Sequence, residues 1–409
     1  MTGPARLLPW SLYAAMIAAA GLPIYIHAPK FYVDTYGVSL ASLGVVLGLL
    51  RLIDVVQDPA LGWLAERTRH RRGAMVAVAA ALMATSMVAL LAVPPPTAPL
   101  LWFALTLIVL FSAFSFLTIC FYAQGVAFAP TLGPKGHLKL AGWREGGALI
   151  GISLAAVAPV ALAALSDHPF AAFAWGFAAL ALIASLAMRH HWGAAALTAA
   201  PRFGPVLHDR MARRLLVLSL VNGAPVAVTS TLFLFFVESR LAAPGREGPL
   251  LLLFFLAAAA STPVWTRAAS RYGAKPVLLA GMTLATLSFA FALTLGAGDT
   301  IPFAAICLAS GAALGADMVL LPAIFARHLS GRFPGAEALA FGLWSFASKL
   351  ALALAAVTLL PLLDAGGFVS GPQNTATALS LLTSLYAGLP CLLKLAAIAL
   401  LLATPVPEA

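Results

Sequence analysis

Apolar runs of span length, separated by short polar breaks, recur along the whole chain. They lie at about 8–29, 38–65, 74–93, 98–129, 142–165, 170–188, 214–238, 249–268, 276–296, 301–326, 337–363 and 376–403. About 20 apolar residues cross a bilayer as a helix. Lipid offers the backbone no hydrogen bonds, so a spanning segment is a helix or a barrel strand. The runs lack the two-residue alternation of barrel strands. The pattern therefore predicts an all-α membrane protein with twelve transmembrane helices.

Composition agrees. Of 409 residues, 62% are hydrophobic and 9% charged, too few charges to cover a soluble surface. The net charge is +10, but the cations fall in short clusters between apolar runs, which reads as membrane topology and not as a nucleic-acid surface. Arg67, Arg69, Arg71 and Arg72 follow the second run, and Lys135 and Lys139 the fourth. Arg189, Arg202, Arg210, Arg213 and Arg214 occupy the central connection. Arg267, Arg271 and Lys275 follow the eighth run, and Arg327 and Arg332 the tenth. The alternate connections are nearly bare, apart from Arg240 and Arg246 beside Glu238 and Glu247. The positive-inside rule then puts both termini in the cytoplasm. The opening stretch, Met1 to Leu22, runs on to a charged turn at Lys30 and Asp34 with no convincing cleavage site, and reads as the first span. Cys120, Cys307 and Cys391 sit inside apolar runs with neither metal nor redox spacing.

The longest basic connection, with Pro201, Gly204 and Pro205, divides six spans from six. This predicts an N-terminal half at 1–190, a cytoplasmic linker at 191–213 and a C-terminal half at 214–409. The halves echo each other: Pro59, Trp63, Arg67 and Gly73 straddle one turn, and Pro263, Trp265, Arg267, Arg271 and Gly273 another. Two parallel six-helix halves resemble the plan of the major facilitator superfamily.

The most informative segment runs from Arg51 to Gly73. Asp54 and Asp58 are four apart, so they share one helix face. A mid-bilayer charge costs about 2.5–3.5 kcal/mol, and ionisable residues kept there are functional by default. Two adjacent carboxylates repel unless a cation or proton sits between them. That suits a monovalent cation site with oxygen ligands. A purely structural alternative is ion pairing with Arg51 or Arg144. Glu66, Arg67 and Arg71, at the basic turn, suit a gating latch that pairs in one state and releases in another.

The pattern D-x-x-x-D-P-x-x-G followed by Glu66, Arg67-Thr-Arg69 and a basic turn resembles the glycoside–pentoside–hexuronide:cation symporters, the melibiose-permease-like branch of that superfamily. Phe31-Tyr32-Val33-Asp34, Phe121-Tyr122 with Arg144, Asp317 to Ala323, and Phe346-Ala-Ser-Lys349 carry it along the chain. The resemblance implies that Asp54 and Asp58 bind sodium, lithium or a proton, helped by a hydroxyl of Ser115 or Thr118 and with Lys349 nearby. It implies a solute held near Ala18, Thr118, Tyr122, Arg144, Trp344 and Lys349. Tyr25 and Gln124 add polar groups from neighbouring positions, and such groups with aromatic faces suit a neutral or zwitterionic solute. Galactoside-carrying members have aspartates where this chain has Ala18 and Thr118, so the coupling half of the mechanism is retained and the solute is left open. Ala326-Arg327-His328 likewise replaces an acidic segment.

The expected function is a cation-coupled symporter, as a monomer in a bacterial inner membrane, with no cofactor beyond the coupling ion and no nucleic-acid partner. A proton-coupled exporter or a lysolipid or amphiphile carrier of the same fold is the alternative, and a non-transporting membrane receptor is a third reading. No HExxH, phosphate-cradling loop or nucleophile–base cluster points to an enzyme.

Overall fold

The computed structural model describes residues 6–193, 203–333, 335–369 and 373–406, with all side chains among them but those of 22–26, 30, 40, 41, 51, 160, 331 and 356. Every regular element among the described residues is helical. In chain order these are α1 (Leu8–Ala19), α2 (Leu22–Tyr36), α3 (Leu40–Arg67), α4 (Arg72–Leu91), α5 (Pro99–Phe128), α6 (Gly136–Leu162), α7 (Pro169–Met188) and α8 (Gly204–His208). Then follow α9 (Arg210–Phe235), α10 (Glu247–Tyr272), α11 (Ala274–Ala290), α12 (Thr300–Arg332), α13 (Glu337–Ala365), α14 (Ala376–Thr383) and α15 (Leu389–Leu402).

Among the described residues, nine helices are long and apolar enough to cross a membrane. The three remaining apolar runs form α3, α6 and the broken pair α1–α2. α3 and α6 carry the buried charges Asp54, Asp58, Glu66, Arg144 and Glu145. The outward surface is rich in large apolar side chains, such as Val45, Leu49, Leu52 and Val56 on α3 and Trp175, Leu182 and Leu186 on α7. So much exposed apolar surface fits lipid as the solvent, not water.

The first span differs from its sequence reading. It breaks at Ala20–Gly21 and continues to Tyr36, well past residue 29. Pro23 has no N–H to continue α1, and the last turn closes with 3₁₀-type bonds, Ala20 N–H to Ile17 O and Gly21 N–H to Ala18 O. The segment around Lys30 and Asp34 is helix, not turn. Its Tyr32 is fully buried, and the hydroxyl donates to Leu90 O at 3.1 Å. Several other helices outlast their apolar runs. α6 starts at Gly136 and α12 ends at Arg332, because basic residues do not break a helix and cations in a last turn complement its dipole.

The chain forms two compact units, residues 1–207 with 326–346, and residues 208–325 with 347–409. In the first, α1 lies directly on α6. A Cβ at Gly147 would stand 2.2 Å from Ser11 O, and one at Gly151 2.3 Å from Ala15 O. The small-xxx-small spacing permits that approach, the usual way membrane helices pack without a hydrophobic force between them. Trp10 stacks on Phe128 at 5.0 Å and meets Phe121 at 5.2 Å. In the second unit, two π-helical turns, Phe236–Arg240 and Ser384–Gly388, each contribute a ring to one stack, Phe236 on Tyr386 at 4.1 Å and 15°.

Candidate functional site

Asp54, Asp58, Gly62 and Glu66 recur every fourth residue and make one stripe on α3. Asp54 is 7% exposed, Asp58 0% and Glu66 1%, so three carboxylates are buried along a single helix face. Burial of ionised groups requires compensating partners. Asp54 Oδ1 accepts from Gln57 Nε2 at 2.8 Å, and Gln57 Oε1 accepts from Ser112 Oγ of α5 at 2.9 Å. Asp58 Oδ2 accepts from Ser345 Oγ of α13 at 2.5 Å. The Arg51 side chain lies outside the described residues. Arg144 is engaged elsewhere.

The two carboxylates sit one turn apart, with the neutral side-chain oxygens of Gln57 and Ser112 joined to Asp54. Hard monovalent cations bind such oxygen sets, and a proton binds the same carboxylates. Among the described residues no three His, Cys, Asp or Glu side chains gather as a transition-metal cluster would need. Ser115 is buried on α5. Thr118 spends its hydroxyl on its own helix, donating to Phe114 O at 2.8 Å. Ser112, one turn earlier on α5, is joined to Asp54 through Gln57.

A second polar group forms where α5 meets α6. Arg144 and Glu145 are 3% and 1% exposed. Arg144 Nε donates to Glu145 Oε1 at 2.8 Å, and Tyr122 Oη donates to the same oxygen at 2.8 Å. The Arg144 guanidinium also lies 3.6 Å from the Tyr122 ring centroid. Phe341 packs 5.1 Å from Tyr122, with Trp344 6.4 Å beyond it. Tyr122, Arg144 and Trp344 thus belong to one aromatic and charged cluster. Glu145 completes it, although it lacked any motif in the sequence. Ala18 lies at the α1–α2 break, with its carbonyl accepting from Gly21. Tyr25 is in α2, and its side chain lies outside the described residues. Lys349 is half-buried on α13, within the second unit.

At the basic turn, Glu66 Oε1 accepts from Arg69 Nη1 at 3.2 Å, and Glu66 Oε2 accepts from Ala338 N–H at 3.2 Å. Arg72 Nη1 donates to Gln124 Oε1 at 3.0 Å. Arg69 and Arg72 are buried, whereas Arg67 and Arg71 are exposed, with Arg67 5.1 Å from the Trp63 ring. Glu66 is thus engaged by Arg69. The sequence could not separate four neighbouring arginines, because only the 3₁₀ turn at Arg69–Arg71 decides which point inward.

The second unit holds a charge pair that the sequence left unpaired. Lys394 of α15 is 4% exposed, and its Nζ donates to Asp317 Oδ2 of α12 at 2.5 Å and to Asn222 Oδ1 of α9 at 2.7 Å. Asp317 Oδ1 is buried without a hydrogen-bond partner. The pair borders a cavity of about 60 Å³ whose walls include Pro225, Phe254, Phe289, Pro390 and Cys391.

Residues 11–408 match the profile of a family described as MFS/sugar transport protein. No curated protein matches the sequence. Solved structures share the architecture. A bacterial homologue of the iron transporter ferroportin, in an outward-facing state, superposes with TM-score 0.71 at 14% identity, covering 97% of this chain and 99% of that one. The human organic anion transporter MFSD10 (TETRAN) gives 0.68 at 14%, covering 98% of this chain and 100% of that one. The E. coli fucose:proton symporter FucP gives 0.66 at 15%, covering 98% of both chains. At such identities the likeness concerns the fold.

Proposed function

Since the chain belongs to the MFS/sugar transport protein family of membrane transporters, we propose that it is a cation-coupled symporter of a small polar solute, of the melibiose-permease-like branch. One observation carries this reading: Asp54 and Asp58, buried one turn apart on a membrane-spanning helix and bonded to neutral oxygen-bearing side chains. A sodium or lithium ion, or a proton, neutralises that pair. Solute then binds at the Tyr122–Arg144–Glu145 cluster, beside Phe341 and Trp344. The loaded site is then opened to one face of a bacterial inner membrane and closed to the other by alternating access. No cofactor is needed beyond the ion, the working form is a monomer, and both termini are cytoplasmic.

Thermal melting of purified protein tests the reading. A ligand bound only by the folded state raises stability by RT ln(1 + [L]/Kd). Sodium, lithium and potassium are titrated at constant ionic strength, and pH is varied separately. A sodium or lithium shift lost in Asp54→Asn and in Asp58→Asn supports a metal-ion site. A pH-dependent shift through the same two residues supports proton coupling. If neither appears, the carboxylate pair is structural and the proposal fails.

A further inference from the structure

The acidic stripe of α3 meets a second stripe, on the first turns of α13, at three successive levels. Asp58 accepts the Ser345 hydroxyl at 2.5 Å. One turn on, a Cβ at Gly62 would stand 2.9 Å from Ala338 O and 3.1 Å from Gly342 Cα. A Cβ at Gly342 would stand 2.9 Å from Asp58 O. At the third level Glu66 accepts the Ala338 N–H at 3.2 Å. That amide is one of the N-terminal donors of α13 that no helical carbonyl satisfies. Residues 58, 62 and 66 share one helix face, and 338, 342 and 345 share another, so the two helices are antiparallel here. The glycine level lets the backbones touch, and the polar levels on either side fix them.

We propose that Ser345 is the positioning residue through which the ion site controls α13, a role that rests on the cation reading of Asp58. Ser345 Oγ and Asp58 Oδ2 share a proton. They are too close to share a cation: two oxygens at right angles around a hard ion, each about 2.4 Å from it, stand about 3.4 Å apart. Loading an ion on Asp58 Oδ2 therefore breaks the hydroxyl bond and pushes the Ser345 end of the contact outward by about 1 Å. With the glycine level already at backbone contact, the two helices cannot close up there to absorb the displacement. The displacement is transmitted along 338–345 to the Glu66 bond. The ion-free site holds α13 against α3, and the loaded site releases it. Ser345 competes with the ion and is not its ligand.

The test uses full-length protein with Ser345→Ala, which removes one hydroxyl, and Ser345→Thr, which restores it. The melting shift is followed against sodium or lithium, in parallel with amide hydrogen exchange over residues 337–346. Loss of a charge-assisted bond that opposes loading predicts a midpoint about ten- to a hundredfold lower in Ser345→Ala, and a wild-type midpoint in Ser345→Thr. Exchange over 337–346 should be faster in ion-free Ser345→Ala than in ion-free wild type, and wild type should reach the faster rate on loading. An unchanged midpoint in Ser345→Ala, with wild type still responding, overturns the proposal and leaves the ion site standing. A higher midpoint or a lost response makes Ser345 a ligand and overturns it too. A wild type that responds to no cation removes the ion site and this proposal together.

Discussion

Removing the Lys394 side chain should be among the most costly single changes in the second unit, and the structure gives the order of the related variants. Lys394 Nζ donates to Asp317 Oδ2 and Asn222 Oδ1, and Asp317 Oδ1 has no partner. Lys394→Met leaves the Asp317 carboxylate buried with no donor at either oxygen. Breaking a buried pair in this way costs about 3–5 kcal/mol. Asp317→Asn is milder, because the ammonium keeps Asn222 and gains the new amide oxygen. It leaves the ammonium buried without its counter-charge but with both acceptors kept, a cost of about 1.5–3 kcal/mol. The double variant Lys394→Met/Asp317→Leu buries no charge and should lie close to wild type or above it. For a folding unit of about 150–250 residues, 1 kcal/mol moves a melting temperature by about 2–4 °C. Lys394→Met is therefore expected about 6–20 °C below wild type, Asp317→Asn between them, and the double variant near wild type. Tryptophan-fluorescence melting of purified protein measures all four. A double variant no more stable than Lys394→Met would refute the reasoning, since removing the orphaned carboxylate would then restore nothing.

Three further outcomes follow from single contacts. Gly62→Ala should destabilise by about 1–3 kcal/mol through overpacking against Ala338 and Gly342, whereas Gly48→Ala on the same helix, with open space around it, should stabilise by about 0.5–1 kcal/mol; melting curves compare them. Glu145→Gln keeps the shape of the Arg144–Tyr122 cluster but removes its negative charge, so stability should fall by about 1–3 kcal/mol and, in transport assays, half-saturation for solute should rise with little change in maximal rate. Of the three cysteines, half-buried Cys391 should be alkylated in folded protein, and buried Cys120 and Cys307 only after unfolding, as mass spectrometry of labelled peptides would show.

The hydrophobic pattern placed nearly every helix, because a bilayer demands long apolar helices and leaves few alternatives. The exceptions have local causes. The break at Ala20–Gly21 follows from Pro23, but a proline in an apolar run does not reveal whether a span ends or only kinks. The charged segment near Asp34 looked like a turn because charge usually marks the membrane edge, yet Tyr32 and Phe31 pack it as helix. Asp54 and Asp58 were legible for the opposite reason: they are charges where lipid penalises them. Glu145 and Lys394 carry the same penalty, but Glu145 stands beside Arg144 in a stretch that reads as a helix end, and Lys394 has no partner nearer in the chain than Asp317.

The α3–α13 contact shows where the sequence carries half of a site without the other half. A four-residue stripe of Asp54, Asp58, Gly62 and Glu66 is plain in the chain, including a glycine that has no role on an exposed helix face. Nothing local says what it meets, since Ala338, Gly342 and Ser345 lie some 280 residues away and are individually ordinary in a membrane helix. Small residues and a serine are common there. Their meaning comes only from register. An antiparallel contact matches 58 with 345, 62 with 342 and 66 with 338, and a shift of one residue on α13 would carry the hydroxyl and the glycine off the acidic stripe together. The carboxylates therefore do two things at once. In the proposed mechanism they supply oxygens for an ion, and they also bond to a helix from the other half of the sequence, so that occupancy of the first role sets the strength of the second.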